Sequence, residues 1–178
     1  MHICVYGAAS ASIDPAYMAA GEELGRCMAA NGHTLVFGGG GNGLMGAVAR
    51  GIQEGGGTSI AVVPSFFRVD GILSPYCTET IYTDTMRERK QKMEDLSDAF
   101  IMTPGGIGTF DEFFEILTLR SLGRHKKPIA VLNTNGYYKP LAELLENTVR
   151  ESFMSRENAG LARFFDKPEP LLAYLESC

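Results

Sequence analysis

The sequence has no tryptophan, no cysteines near one another, no excess of positive charge and no long apolar run, and each gap excludes something. Cys4, Cys27, Cys77 and Cys178 form no CxxC pair and no Cys/His spacing that suits zinc, so they read as reduced thiols. With 16 Lys and Arg against 21 Asp and Glu the net charge is −5. Such a chain has no general attraction for nucleic acid or anionic lipid, and an anionic ligand must be held by a local pocket. No apolar stretch approaches the ~20 residues needed to span a bilayer. The chain opens on 2-HICVYG-7, a strand-like run rather than a charged segment followed by an apolar one. The expectation is a cytoplasmic protein with neither a membrane nor a nucleic-acid partner.

What is present is ordinary except for glycine. The 178 residues suit one domain, 1–178, and the 45% hydrophobic content is that of a globular protein. The 21 glycines are clustered rather than dispersed. There is no linker, low-complexity tract or internal repeat.

Short apolar runs recur between stretches of helical spacing: 3-ICVYG-7, 34-TLVFG-38, 58-TSIAVV-63, 99-AFIMT-103 and 128-PIAVLN-133. They do not alternate apolar with polar, as expected of strands covered on both faces by crossover helices. Helical spacing covers 17–30, 44–54, 86–96, 109–122 and 137–151. The segment 64–84 is less regular, with 78-TETIYT-83 as an extra short strand, and the tail reads as loop plus a short helix after 168-PEP-170. This alternation predicts a Rossmann-like α/β fold, a doubly wound parallel sheet flanked by helices, with its ligand site beyond the carboxyl ends of the strands.

Those ends are 7-GAAS-10, 38-GGGGNGLMG-46 and 104-PGGIGT-109. Glycine lets backbone approach a ligand closely, and a following helix N-terminus offers free N–H groups and a positive dipole end. A phosphate-bearing ligand is one reading; tight turns and close helix packing are the other. The second loop contains a formal GxGxxG, but no acid lies near the position where a dinucleotide fold needs one for the ribose, which falls in 60-IAVVPS-65. Neither the second nor the third loop ends in the Gly-Lys-Ser/Thr of an ATPase, whereas a monophosphate needs only backbone amides and a hydroxyl such as Thr109.

Two helices carry charges in unusual places. Met86, Met93 and Leu96 define an inward stripe on the 86–96 helix, and Arg89 and Lys90 occupy its next position. A cation buried there requires a partner; the bland alternative is that its stem snorkels to solvent. The helix from Thr109 has almost no polar face and is expected to be buried all round, by the sheet and by a second subunit, with Glu112 and Glu115 reaching solvent through a cleft. Thr109-x-x-Glu112 also satisfies a capping box, so spacing alone leaves Glu112 either a cap or a functional carboxylate.

Pro104 to Glu112 reads PGGxGTxxE and resembles the signature of the Lonely Guy (LOG) family, the cytokinin riboside 5′-monophosphate phosphoribohydrolases. The likeness extends through 5-VYGAAS-10 with Tyr17, 36-VFGGGGNGLMG-46, 86-MRERK-90 and 122-LGRHKKPIAVLNTNGYY-138. It implies hydrolysis of the N-glycosidic bond of AMP or an N6-substituted AMP by a homodimer that uses no metal and no organic cofactor. Carried over by position, Arg89 and Glu112 are catalytic and Gly105, Gly106, Gly108 and Thr109 bind the phosphate. Lys90 and Glu115 support them, and Ser10, Gly39 and Met86 complete the substrate site. Arg89 is further expected to keep Glu112 ionised. The family has also been labelled lysine decarboxylase, but nothing in the sequence identifies a Schiff-base lysine. Ala8 and Ala9 stand where members often have Gly-Ser or Ser-Ser, and Leu119 where many have Trp, changes that touch the pocket wall and the base-recognition end. The alternative is a non-catalytic nucleotide or molybdenum-cofactor-type carrier of the same fold.

Overall fold

In the computed structural model, which describes residues 1–67 and 73–178, the apolar runs form one sheet. Residues 68–72 of the irregular 64–84 segment lie outside that description. The strands are β1 (His2–Tyr6), β2 (Thr34–Phe37), β3 (Thr58–Pro64), β4 (Glu79–Thr83), β5 (Ala99–Met102), β6 (Ile129–Leu132) and β7 (Ala162–Phe165). Among the described residues they pair in the order β4-β3-β2-β1-β5-β6-β7, and every pairing is parallel. Parallel neighbours need crossovers, supplied for every pair but β3–β4 by α1 (Pro15–Ala30), α2 (Gly43–Glu54), α3 (Met86–Leu96), α4 (Ile107–Ser121), α5 (Lys139–Arg150) and the four-residue α6 (Arg156–Ala159); α7 (Pro168–Glu176) is the last element. No helix among the described residues is long and apolar enough to cross a membrane.

Successive strand residues feed opposite faces. Ile3 and Val5 of β1 join Leu35, Phe37 and Val63 in a core with Leu24, Met28, Val48, Ile52 and Leu171 of α1, α2 and α7. Cys4 and Tyr6 join Val36, Val62 and Phe100 in a second core with Met93, Phe113 and Ile116 of α3 and α4. The central strands are thus buried on both sides, which is why their sequences do not alternate.

The chain winds outward from β1 to β4 and then crosses to β5 on the other side of β1. The reversal opens a crevice beyond the carboxyl ends of β1 and β5, the place where such sheets take ligands. Here Thr103 N–H and Oγ1 both donate to Tyr6 O, each at 2.8 Å, and Ala8 N–H donates to Pro104 O at 3.1 Å. The loops 7–10 and 104–106 therefore leave the sheet side by side.

Three sequence expectations need correction. β7, 162-ARFF-165, is an edge strand carrying a charge, and its short run gave no strand signal. Met86 is 39% exposed, so the inward stripe of α3 begins at Arg89. Finally, α4 is not buried all round in a single chain: Ile107 is 85% exposed and Phe114 39%, and both lie on its outer face.

Candidate functional site

The loop after β5 decides between the two readings of Glu112. α4 begins at Ile107, with Gly106 as its N-cap, two residues earlier than the Thr109 start. Thr109 therefore lies inside the first turn and the capping box does not form. The sequence instead builds that motif on α3, where Thr85 Oγ1 accepts from Glu88 N–H at 3.1 Å and Glu88 Oε2 accepts from Thr85 N–H at the same distance. Glycine offers no cap, so no side chain satisfies the opening amides of α4. An N-terminus in that condition, carrying the positive end of a helix dipole, suits an anion. Gly106 and Gly108 are exposed and Gly105 is buried; the hydroxyl of the buried Thr109 packs against the bare Cα of Gly105.

Glu112, freed from the cap, pairs with Arg89. Arg89 Nη1 donates to Glu112 Oε1 at 2.9 Å, and Nε donates to Val62 O at 3.1 Å where β3 ends. Their side chains are only 10% and 12% exposed, so the cation on the apolar stripe is a buried partner and does not snorkel. The ion pair does not leave Glu112 an ordinary acid. Burial raises its carboxyl above the usual value of 4.5 by more than the charge and hydrogen bond of Arg89 lower it. Arg89 thus offsets a desolvation penalty that it does not abolish.

One helical position on, Lys90 bridges back to α4. Its Nζ donates to Asp111 Oδ2 at 3.1 Å and pairs with Glu115 Oε2. Sequence reasoning named Lys90 and Glu115 but missed Asp111, whose exposed position beside a glycine-rich helix start carries no signal of its own. Glu115 raises the pKa of Lys90 above 10.5, with Asp111 adding to the effect. A Schiff-base lysine needs the opposite, a neutral amine near pH 7. Cys4, buried near Arg89 and Glu112, is equally unsuited to nucleophilic work, because burial pushes its thiol up to about 12.

A cavity of about 200 Å³ lies at the start of α4, lined by Ala8, Ser10, Ile13, Tyr17, Gly105 and Tyr137 among others. This brings the exposed Ser10 to the glycine loop after β5. Two tyrosines outside the predicted site hold that loop: Tyr137 donates its hydroxyl to Gly105 O at 2.8 Å, and buried Tyr138 donates to Thr103 O at 2.7 Å. The 122–138 motif contained them, but residue type alone did not say where the hydroxyls point.

The GxGxxG loop has a different character. Met45 N–H donates to Ala8 O at 3.2 Å and Gly46 N–H to Asn42 O at 3.0 Å, so those amides are already taken. A Cβ on Gly46 would collide with Gly41 O. This loop is chiefly a packing device, and Gly39, predicted for the substrate, is buried with φ +80° and accepts from Ser74 N–H at 2.8 Å. Met86 stands exposed at the start of α3, at the carboxyl edge of the sheet.

Beside the acidic residues, the outer face of α4 lines two grooves of about 660 and 480 Å³ that share Phe110 and Phe114. Ile107 and Leu119 extend the first, and Leu141 and Leu144 of α5 line the second. Leu119, where the resemblance led to Trp, belongs to this outer face.

A family model described as "Possible lysine decarboxylase" matches residues 45–175. Cytokinin riboside 5′-monophosphate phosphoribohydrolase LOG of Oryza sativa subsp. japonica is 37% identical over 155 residues, which cover 87% of this chain and 64% of that protein. This chain thus spans somewhat less than two thirds of the rice protein's length. Cytokinin riboside 5′-monophosphate phosphoribohydrolase of Rhodococcoides fascians is 42% identical over 135 residues, 75% of this chain and 68% of that one. Among solved structures, TM1055 superposes with a TM-score of 0.77 at 20% identity, covering 99% of each chain. The Moco carrier protein of Chlamydomonas reinhardtii superposes with a TM-score of 0.74 at 24% identity, covering 99% of this chain and 95% of that one. At such identities these two structures establish the shared fold.

Proposed function

The chain belongs to the Lonely Guy family, and we propose that it hydrolyses the N-glycosidic bond of AMP or an N6-substituted AMP, releasing the free base and ribose 5-phosphate. The observation that carries this reading is the buried Arg89–Glu112 pair, one helical turn beyond a helix start whose opening amides no side chain caps.

In this reading the phosphate sits on the amides of Gly105, Gly106 and Gly108 with Thr109 beside them, where the helix dipole complements its charge. Ser10 adds a hydroxyl and Met86 lines the remaining approach, while the buried Gly39 contributes by shaping the turn after β2. With the phosphate fixed, C1′ of the ribose is presented to Glu112. As the C1′–N bond breaks, the electron pair leaves with the base and positive charge develops on the ribose. The Glu112 carboxylate stabilises that charge and accepts a proton from the water that attacks C1′. The departing base takes up one proton from solvent at the nitrogen released from C1′, and Glu112 returns its proton to solvent as the products leave. Arg89 holds the carboxylate in place, and Lys90, through Asp111 and Glu115, fixes α3 against α4.

A homodimer formed through the outer face of α4 belongs to the same proposal. Ile107 and Phe114 put apolar surface on the outer face of α4 beside Asp111 and Glu115, so a second copy seated there would cover it and wall the cleft. The reading also takes 1–178 as one unit in a reducing, cytoplasmic setting, consistent with four unpaired cysteines.

The carrier alternative draws on fold likeness. A carrier needs glycine loops but has no use for a buried carboxylate held by an arginine, which favours the enzyme. Incubating the purified protein with AMP and with isopentenyl-AMP, and separating the products by chromatography, tests the choice. Release of base and ribose 5-phosphate supports hydrolysis, whereas nucleotide binding without either product supports the carrier.

A further inference from the structure

Arg89 is held at two corners of its guanidinium, by Val62 O through Nε and by Glu112 through Nη1. The third corner, Nη2, points at Gly38, the first residue after β2. A Cβ on Gly38 would stand 3.2 Å from Arg89 Cζ and under 3.0 Å from Nη2, closer than real Cβ atoms come. Ordinary contact begins at 3.4 Å.

We propose that Gly38 is a positioning residue for Arg89: its missing side chain is the space that lets the guanidinium reach Glu112. The inference rests on the reading of Arg89 and Glu112 as the reacting pair, but the steric relation can be tested separately. The backbone does not explain this glycine. Gly38 is absent from the residues with positive φ, so alanine is conformationally acceptable there, whereas the adjacent Gly39 has φ +80° and would strain any side chain. Flexibility of the arginine does not remove the conflict either. Its planar fork is fixed at two points, so retreat of Nη2 from a methyl group swings Nη1 away from Glu112.

The loop 38-GGGGNGLMG-46 thereby divides by role. Gly38 serves the cation from the adjoining helix, Gly39 the turn, and Gly46 the packing of α2 on its own loop. None of these roles requires phosphate.

The test is a double-mutant cycle of Gly38→Ala and Arg89→Ala, read by both turnover and thermal stability. For Gly38→Ala the expected result is a kcat lower by about 10²-fold with KM within a few-fold, the loss associated with displacing a reacting group by roughly 1 Å. Its acid limb in kcat/KM moves to higher pH, because Glu112 loses the partner that lowers its pKa. In the Arg89→Ala background the same methyl group meets no guanidinium and adds nothing further to either readout. Additive losses, or a Gly38→Ala protein with wild-type kcat, overturn the proposal. If Gly38→Ala does not fold, recovery of folding in the double variant supports it and failure of both overturns it. Should Arg89→Ala alone keep wild-type turnover, the catalytic reading fails, while the stability cycle still decides whether Gly38 accommodates Arg89.

Discussion

Arg89 Nη1 lies 2.9 Å from Glu112 Oε1, and neither side chain is more than 12% exposed. Two opposing effects act on this carboxylate, and burial exceeds the influence of the arginine. The sequence had suggested a carboxylate held in its charged form by its neighbour. The structure shows an acid whose charged form is disfavoured by its surroundings and only partly supported by its neighbour.

This has a consequence for pH dependence. The proposed chemistry needs ionised Glu112, and its pKa is raised above 4.5, so kcat/KM is expected to fall on acidification with a midpoint above that value. Replacing Arg89 by Met removes a cause that lowers the pKa, which moves the midpoint of the residual activity further upward. A pH–rate profile of both proteins checks the direction. A midpoint at or below 4.5 in the wild type contradicts it.

Tyr137 and Tyr138 give a second expectation. Tyr138→Phe leaves the buried Thr103 carbonyl without its 2.7 Å hydroxyl partner, a loss of about 1–3 kcal/mol that thermal or denaturant unfolding resolves. Tyr137→Phe removes only the bond to Gly105 O from a half-exposed ring. It is expected to leave stability nearly unchanged and to raise KM through a looser phosphate loop. Steady-state kinetics and unfolding of the two variants separate the roles.

The proposed homodimer can be broken at one place. Phe114 is 39% exposed and shared by both grooves on the outer face of α4, so Phe114→Asp puts a charge where the second copy must bury apolar surface. Analytical ultracentrifugation should then show a folded monomer with reduced activity. An unchanged sedimentation coefficient places any interface elsewhere.

Much of the fold was legible because buried parallel strands and their crossover helices leave strong marks. The runs at 3–7, 34–38 and 99–103 are strands because both faces of the central sheet are covered. The edge strand β7 escaped notice because an edge imposes no such pattern on 162-ARFF-165. Arg89 could be singled out because a charge on an apolar stripe conflicts with its surroundings. The cap at Thr109 could not be rejected from sequence, since the same letters fit a helix starting at 107 or at 109. Asp111, Tyr137 and Gly38 were hidden for a further reason: their parts depend on where another element ends, which no local spacing records.

In the proposed reaction Glu112 acts on the bond being broken rather than on the helix that carries it. The direct measurement compares Glu112→Gln with the wild type, determining turnover of AMP and isopentenyl-AMP alongside nucleotide affinity. The amide preserves size and a hydrogen bond to Arg89 but carries no charge, so affinity is expected to stay within a few-fold while kcat drops by about 10²-fold or more. Wild-type turnover in Glu112→Gln would contradict the account and leave the Arg89–Glu112 pair a structural one.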